Sequence, residues 1–147
     1  MHNMTDIANY FLTKEKMNKI KVQQLCYLYV GWLLALEYKL NIKNPLFVTS
    51  YHGVVNPSCE EEYKKFGFDN ITKINQNIHG KFDNKEIDLL DTVYEVYKTY
   101  CYQELEVIVS RTIPSYEIEH FYGYNYPIEL SSMETYFKKL NKIRGGE

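Results

Sequence analysis

The chain has no apolar run long enough to cross a bilayer. Its central uncharged stretch, Leu25 to Leu36, falls short of the roughly 20 residues a spanning helix requires. Charge of one sign is missing too. The 17 Lys and Arg against 19 Asp and Glu leave a net −2, so global electrostatics does not draw the chain to nucleic acid or to anionic membrane. Cysteine is scarce: Cys26, Cys59 and Cys101 are odd in number, widely spaced and without a CxxC pair. That argues against a disulfide framework and a zinc site, and fits a reducing cytosol. Glycines are isolated at Gly31, Gly53, Gly67 and Gly80, so no loop cradles phosphate; HExxH and GxSxG are absent. The first residues, Met1 to Asp6, lack a basic region followed by an apolar core, so no signal peptide and a cytoplasmic location are expected.

What remains is ordinary in bulk and unusual in one residue. Of 147 residues, 45% are apolar and 24% charged, which suits one globular domain over 1–147. Fifteen tyrosines stand out. Tyrosine joins an apolar body to a polar tip and is enriched at interfaces, although an AT-rich genome would give the same excess. The Leu25–Leu36 stretch shows no alternation with polar residues, and its Leu, Ala and flanking Gln favour helix from about Ile20 to Leu40. A helix apolar all round must be wrapped by the rest of the domain. Leu25, Tyr29, Trp32 and Leu36 share one of its faces, and Gly31, poor in mid-helix, implies close approach by another backbone.

The predicted fold is therefore mainly α: a small helical globule around a buried central helix, with one or two short extended segments. A first helix, capped at Thr5 or Asp6, carries Ile7, Ala8, Phe11 and Leu12; Lys14, Lys16, Lys19 and Lys21 form a basic turn after it. Residues 46–51 read as a strand broken at His52-Gly53. Asn56-Pro57 starts a helix that Gly67 stops. A loop over 68–82 precedes an amphipathic helix capped by Asn84, with Ile87, Leu90, Val93 or Tyr94, Tyr97 and Tyr100 on its face. Leu105 to Val109 is ambiguous between strand and helix. Pro114 to Tyr126 is an aromatic loop, and a Ser131–Glu134 capping box opens a last helix bearing Met133, Tyr136, Phe137, Leu140 and Ile143. Gly145-Gly146 is expected to fray.

Catalytic chemistry has thin support. Cys59 follows His52 by seven residues, and such a pair can be nucleophilic; His120 follows closely on Glu117 and Glu119, a conceivable metal cluster; Asp88 and Asp91 share a helix face. Each has a plainer reading, as an inert buried thiol, a solvated loop cluster and an exposed helix face. Basic residues at Lys14–Lys21 and Lys138–Arg144 could meet as a nucleic-acid patch, but no helix is studded with Arg. The stronger surface is aromatic. Tyr116, Phe121, Tyr122, Tyr124 and Tyr126 cannot all be buried in a chain that already encloses its central helix.

Ile7-Ala8-Asn9-Tyr10-Phe11-Leu12, Lys21 to Leu28 and Gly31-Trp32-Leu33-Leu34-Ala35 resemble the opening helices of the Panacea domain, also described as a phage-associated or SocA-like domain. Phe47, Tyr51, Gly53 and Val55 resemble its "YGPV" turn, Tyr63 and Phe66-Gly67 its next helix, and Asp88, Leu89, Leu90, Val93 and Tyr97 its acidic helix. The match departs at the turn, where Val54 follows Gly53, and at Gln24 and Cys26, where Lys and Leu are usual. The resemblance implies a non-enzymatic helical antitoxin that binds and neutralises a toxin encoded beside it, without a cofactor. One branch presents its toxin to a cytosolic protease. Expected partners are thus a toxin or, in a phage or mobile-element variant, a host defence protein such as a nuclease. The expected contact residues are Tyr51, His52, Gly53 and Val54 at the turn, with Tyr116, Phe121, Tyr122, Tyr124 and Tyr126 in the aromatic loop. The alternative is a small hydrolase using Cys59 and His52.

Overall fold

The computed structural model describes residues 1–113 and 125–144, and the side chain of Arg144 is not among what it describes. The aromatic loop positions before Asn125, the His120 cluster and Gly145-Gly146 lie outside the described residues. Six α-helices and one small antiparallel sheet are present among them, a mainly α domain as expected. The helices are α1 (Met4–Lys14), α2 (Lys19–Ala35), α3 (Pro57–Tyr63), α4 (Asn84–Tyr97), α5 (Tyr102–Ser110) and α6 (Leu130–Arg144). The strands are β1 (Phe47–Ser50), β2 (Gly53–Val55) and β3 (Pro127–Ile128), in the order β2-β1-β3. Three short strands replace the one or two expected, because Ile128 and Pro127 pair with Phe47 and Val48.

Helix α2 is the axis. Every residue from Val22 to Gly31 is buried, and α1, α4, α5, α6 and β2 all pack on it. Asn18 caps its start, accepting from the Lys21 N–H at 2.9 Å. The helix ends at Ala35 rather than near Leu40. Glu37 takes a left-handed φ of 57°, and the Tyr38 N–H turns back to the Leu33 carbonyl at 3.0 Å, closing the end without a glycine. Leu36 is consequently exposed instead of continuing the Leu25–Tyr29–Trp32 face. Trp32 is half-buried and donates from Nε1 to the Tyr97 hydroxyl at 3.0 Å. Buried Tyr27 finds Thr112 Oγ1 at 2.6 Å. Thr112 donates onward to the Val109 carbonyl, so Tyr27 is the donor.

The compensation at Gly31 is a ring, not a backbone. A Cβ there would lie 2.3 Å from Cε2 of Phe137. Phe137, buried on α6, also meets Trp32 edge-on at 5.3 Å between centroids. Gly31 thus lets α6 seat its largest apolar side chain against the axis. Ile143, expected on the same face of α6, is 68% exposed, since α6 outruns the surface it covers.

Other ends differ from the sequence reading for electrostatic reasons. Helix α1 starts at Met4 because the Asp6 carboxylate accepts the Asn3 N–H at 2.9 Å. Asp83, not Asn84, caps α4: it accepts from the Glu86 N–H at 2.8 Å while Glu86 accepts from the Asp83 N–H at 2.9 Å. At α6 the Ser131–Glu134 box does not form. The helix opens at Leu130, and Glu134 instead pairs with Lys138 at 2.6 Å. The ambiguous 105–109 stretch is helix, with Leu105 and Val109 buried. The 68–82 loop is tied down through Asn9, whose amide exchanges two hydrogen bonds with the Asn75 backbone at 2.7 and 2.9 Å. Gly67, at φ 57°, ends the turn after α3 as expected. Lys14, Lys19 and Lys21 are taken by Asp91, Glu60 and Glu15, so the basic turn offers little unpaired charge. Asp91 also accepts from the Tyr10 hydroxyl at 2.5 Å, which makes it an interhelix tie and not half of a carboxylate pair with exposed Asp88.

Gly31→Ala forces the α2–α6 contact apart and is expected to cost about 1–3 kcal/mol, the usual range for overpacking. Urea unfolding checks this, and in a Phe137→Leu background the same substitution should cost clearly less.

Candidate functional site

The hairpin β1–β2 turns through Tyr51 and His52, with Ser50 opposite Gly53. Tyr51 and His52 are not among the residues of positive φ; Gly53 takes φ 100° and so supplies the left-handed step that lets the strands close. The turn is then clamped from below by α2. Gln24, fully buried, donates from Nε2 to the carbonyls of His52 (3.2 Å) and Val54 (3.1 Å), and to Ile20 at 3.3 Å. Three carbonyls around one nitrogen fix which end of the amide is which. Gln23, also buried, accepts the Asn56 N–H at 2.8 Å through Oε1 and donates to Glu60 at 3.2 Å. Asn56 in turn caps α3 through the Cys59 N–H at 3.1 Å and donates to the Leu46 carbonyl at 2.8 Å. Two adjacent amides in an otherwise apolar helix thus hold a hairpin and a helix start.

Above this clamp sits an aromatic face. The His52 ring lies 4.9 Å from Tyr51, 5.6 Å from Phe68 and 6.0 Å from Tyr102 between centroids. Its Nδ1 meets Glu106 Oε1 at 2.9 Å, which fixes the ring's orientation from α5. Tyr51 is 78% and Phe68 65% exposed, the two most exposed aromatic rings among the described residues. Beside them opens a cavity of about 270 Å³ lined by Gln23, Gln24, Ser50, His52, Val55 and Phe68, among others. Gln24 Oε1 and Ser50 Oγ, on two of the lining residues, are covered from solvent and have no hydrogen-bond partner among the described residues. On its wall, burial opposes ionisation of Glu60. The hydrogen bonds from Lys19 and Gln23 outweigh that and hold its carboxyl below the usual carboxylate range.

Comparison with protein-family models, curated proteins and solved structures gives no match.

Of the residues expected at a contact surface, Tyr51, His52, Gly53 and Val54 fall on this one turn. Val54 is corrected: it is fully buried against α2, because alternation along β2 points it inward, so it cannot touch a partner. Tyr126 is half-buried and bound through its backbone to Thr49, its N–H to Thr49 Oγ1 at 3.0 Å. Tyr116, Phe121, Tyr122 and Tyr124 lie outside the described residues. The Cys59–His52 pair is not assembled among the described residues: Cys59, itself on α3, is fully buried against Cys26, and no hydrogen bond joins the His52 ring to it. Its neighbour Cys26 is equally buried, and burial pushes that thiol up, away from the reactive thiolate. Among the described residues no three His, Cys, Asp or Glu side chains form a metal-binding group, and no helix is long and apolar enough to cross a membrane. Sequence reasoning missed Phe68, Tyr102 and Glu106. The signal for Phe68 was a large ring directly after a helix-stopping glycine, in a loop too polar to bury it.

Gly53→Ala places a Cβ 2.6 Å from Gln24 Oε1 at a φ that L residues resist. The expected loss is about 1–3 kcal/mol, read by urea unfolding. Gln24→Leu strips the two turn carbonyls of their donor and should cost a similar amount, about 1–3 kcal/mol, with the amide shifts of residues 51–54 moving most. Because Glu60 binds its proton less tightly in the folded chain than in the unfolded one, its contribution is present above about pH 4.3 and is lost as pH falls through the lower folded value. Glu60→Gln should flatten that part of the stability-against-pH curve.

Proposed function

We propose that this chain is an antitoxin-like binding protein that neutralises a partner protein by direct contact through the aromatic face around His52. The observation that carries this reading is the pair of exposed rings beside one cavity, Tyr51 on a turn whose backbone is clamped from the core and Phe68 against the His52 ring of that turn. Large apolar rings on a fixed backbone lose little entropy on binding, which is why such residues dominate interface energetics. The Panacea-like opening helices support a toxin encoded beside the chain as that partner, and delivery to a cytosolic protease is a further step the same likeness suggests. The reading asks no catalytic step of His52; its carboxylate partner serves to orient a ring in the contact surface.

Co-expression with the neighbouring gene product tests the reading. The chain should relieve toxicity and co-purify with that product. Tyr51→Ala together with Phe68→Ala should weaken the complex by about tenfold or more, or about 1.4 kcal/mol upward, with thermal stability unchanged. Unaltered affinity in the double variant, or no capture by the wild-type chain, would refute it.

A further inference from the structure

We propose that the groove at the C-terminal end of α2 is a self-association surface whose occupant is a second copy of this chain. The proposal stands apart from the neutraliser reading and concerns the other end of the axis from the His52 turn. Gln24 sits near the start of α2 and Leu36 just past its end, about 18 Å apart at helical rise.

The groove holds about 200 Å³ between three helices. Trp32 and Leu36 form its floor, Leu89, Val93 and Val96 of α4 one wall, and Asn141 of α6 the other. Leu36 and Val96 are exposed and Trp32 is only half-buried, so apolar side chains meet solvent together here. Charge identifies what covers them. On α4, positions 86–97 carry Glu86, Asp88, Asp91 and Glu95 and no base. On α6, positions 135–144 carry Lys138, Lys139, Lys142 and Arg144 and no acid. Asp88 and Glu95 lie one turn either side of Thr92, which lines the acidic wall; Lys138 shares the flank of Asn141, and Lys142 lies just outside it. Asp88 and Lys142 are exposed and form no ion pair among the described residues. Glu95 and Lys138 hold exposed partners one turn away, Lys98 and Glu134, and such pairs exchange at little cost.

The helix directions set the orientation. Helix α4 runs against α2: Lys85 stands over the Tyr38 ring at 4.1 Å, and Lys21 Nζ reaches the Lys98 carbonyl at 3.0 Å. Helix α6 runs along α2: the Phe137 ring meets Tyr27 and lies over Gly31, and Asn141 lines the groove with Leu36. Asp88 and Lys142 therefore stand at one level on opposite walls. A twofold axis along the groove lays α4 of each copy over α6 of the other. Asp88 then faces Lys142 twice, with Leu36 and Val96 of both copies between them. An axis across the groove would set acid on acid and base on base, which opposes association. The patch is complementary to itself in one orientation only. Both His52 turns then lie at the same end of the assembly, clear of the contact.

Sedimentation equilibrium of the full chain tests the surface. A groove this small predicts a reversible dimer, forming at about 10–100 µM. Emission from Trp32, the only tryptophan, should shift to the blue over the same range. Asp88→Lys or Lys142→Glu alone should raise the dissociation constant about tenfold or more. An equimolar mixture of those two variants should dimerise again, because acid then meets base at both contacts; a variant that had merely lost its fold would not be rescued. Val96→Glu should abolish the dimer with the melting temperature unchanged. A chain still monomeric at about 0.5 mM, a dimer indifferent to both charge reversals, or a mixture that stays monomeric overturns the proposal.

Discussion

Everything on the candidate surface depends on two buried amides. A helix enclosed on every side is a poor place for polar groups, since an unpaired amide there costs several times what a typical hydrogen bond contributes. Gln23 and Gln24 are tolerated in α2 because the backbone around them is short of partners too. Gln24 serves the inner carbonyls of a hairpin turn, and Gln23 serves the N–H of Asn56, just where α3 begins. The need is mutual. Neither the turn carbonyls nor the Gln24 NH2 group is satisfied alone, so the hairpin has one place to sit.

This constraint orders the rest of the molecule. With β2 fixed to α2, β1 and then β3 follow by pairing, and β3 leads directly into α6, whose Phe137 lies over Gly31. The same helix therefore carries a hole for a ring near its end and a pair of amides near its start. Between them the interior is apolar and tightly filled by Leu25, Leu28, Tyr29 and Val30. The turn is thus rigid where it meets the core and exposed where it meets solvent, which is the arrangement a recognition surface needs. Aromatic side chains presented on such a base are ordered before a partner arrives.

The helical character was legible in the sequence because periodicity and composition report it directly. Residues 25–36 announced a buried axis, and Asn56-Pro57 announced the start of α3 to the residue, although the helix ends at Tyr63 and a 3-10 turn over Lys64–Phe66 carries the chain to Gly67. Helix ends were less legible. The stop after Ala35 depends on Glu37 adopting a left-handed conformation that nothing local demands, and the choice of Asp83 over Asn84 depends on a reciprocal bond with Glu86. The 105–109 segment had strand-like residues, yet Leu105 and Val109 at helical spacing found the core and decided it. At the candidate site, Tyr51, His52 and Gly53 could be picked out from their break in the strand pattern. Phe68, Tyr102 and Glu106 could not, since each comes to His52 from a distant part of the chain. The glutamines were visible only as polar flanks of an apolar stretch. Their partners lie about 30 residues away and have no mark in the local pattern.

Hydrogen exchange of the Gln24 side-chain amide, followed by NMR at neutral pH, interrogates the clamp directly. If that amide is held inside the protein by the His52 and Val54 carbonyls, its two protons exchange as slowly as backbone amides in the middle of α2. Exchange as fast as that of the exposed side chains Gln76 and Gln103 would mean the amide is not holding the turn, and the account built on it would fail.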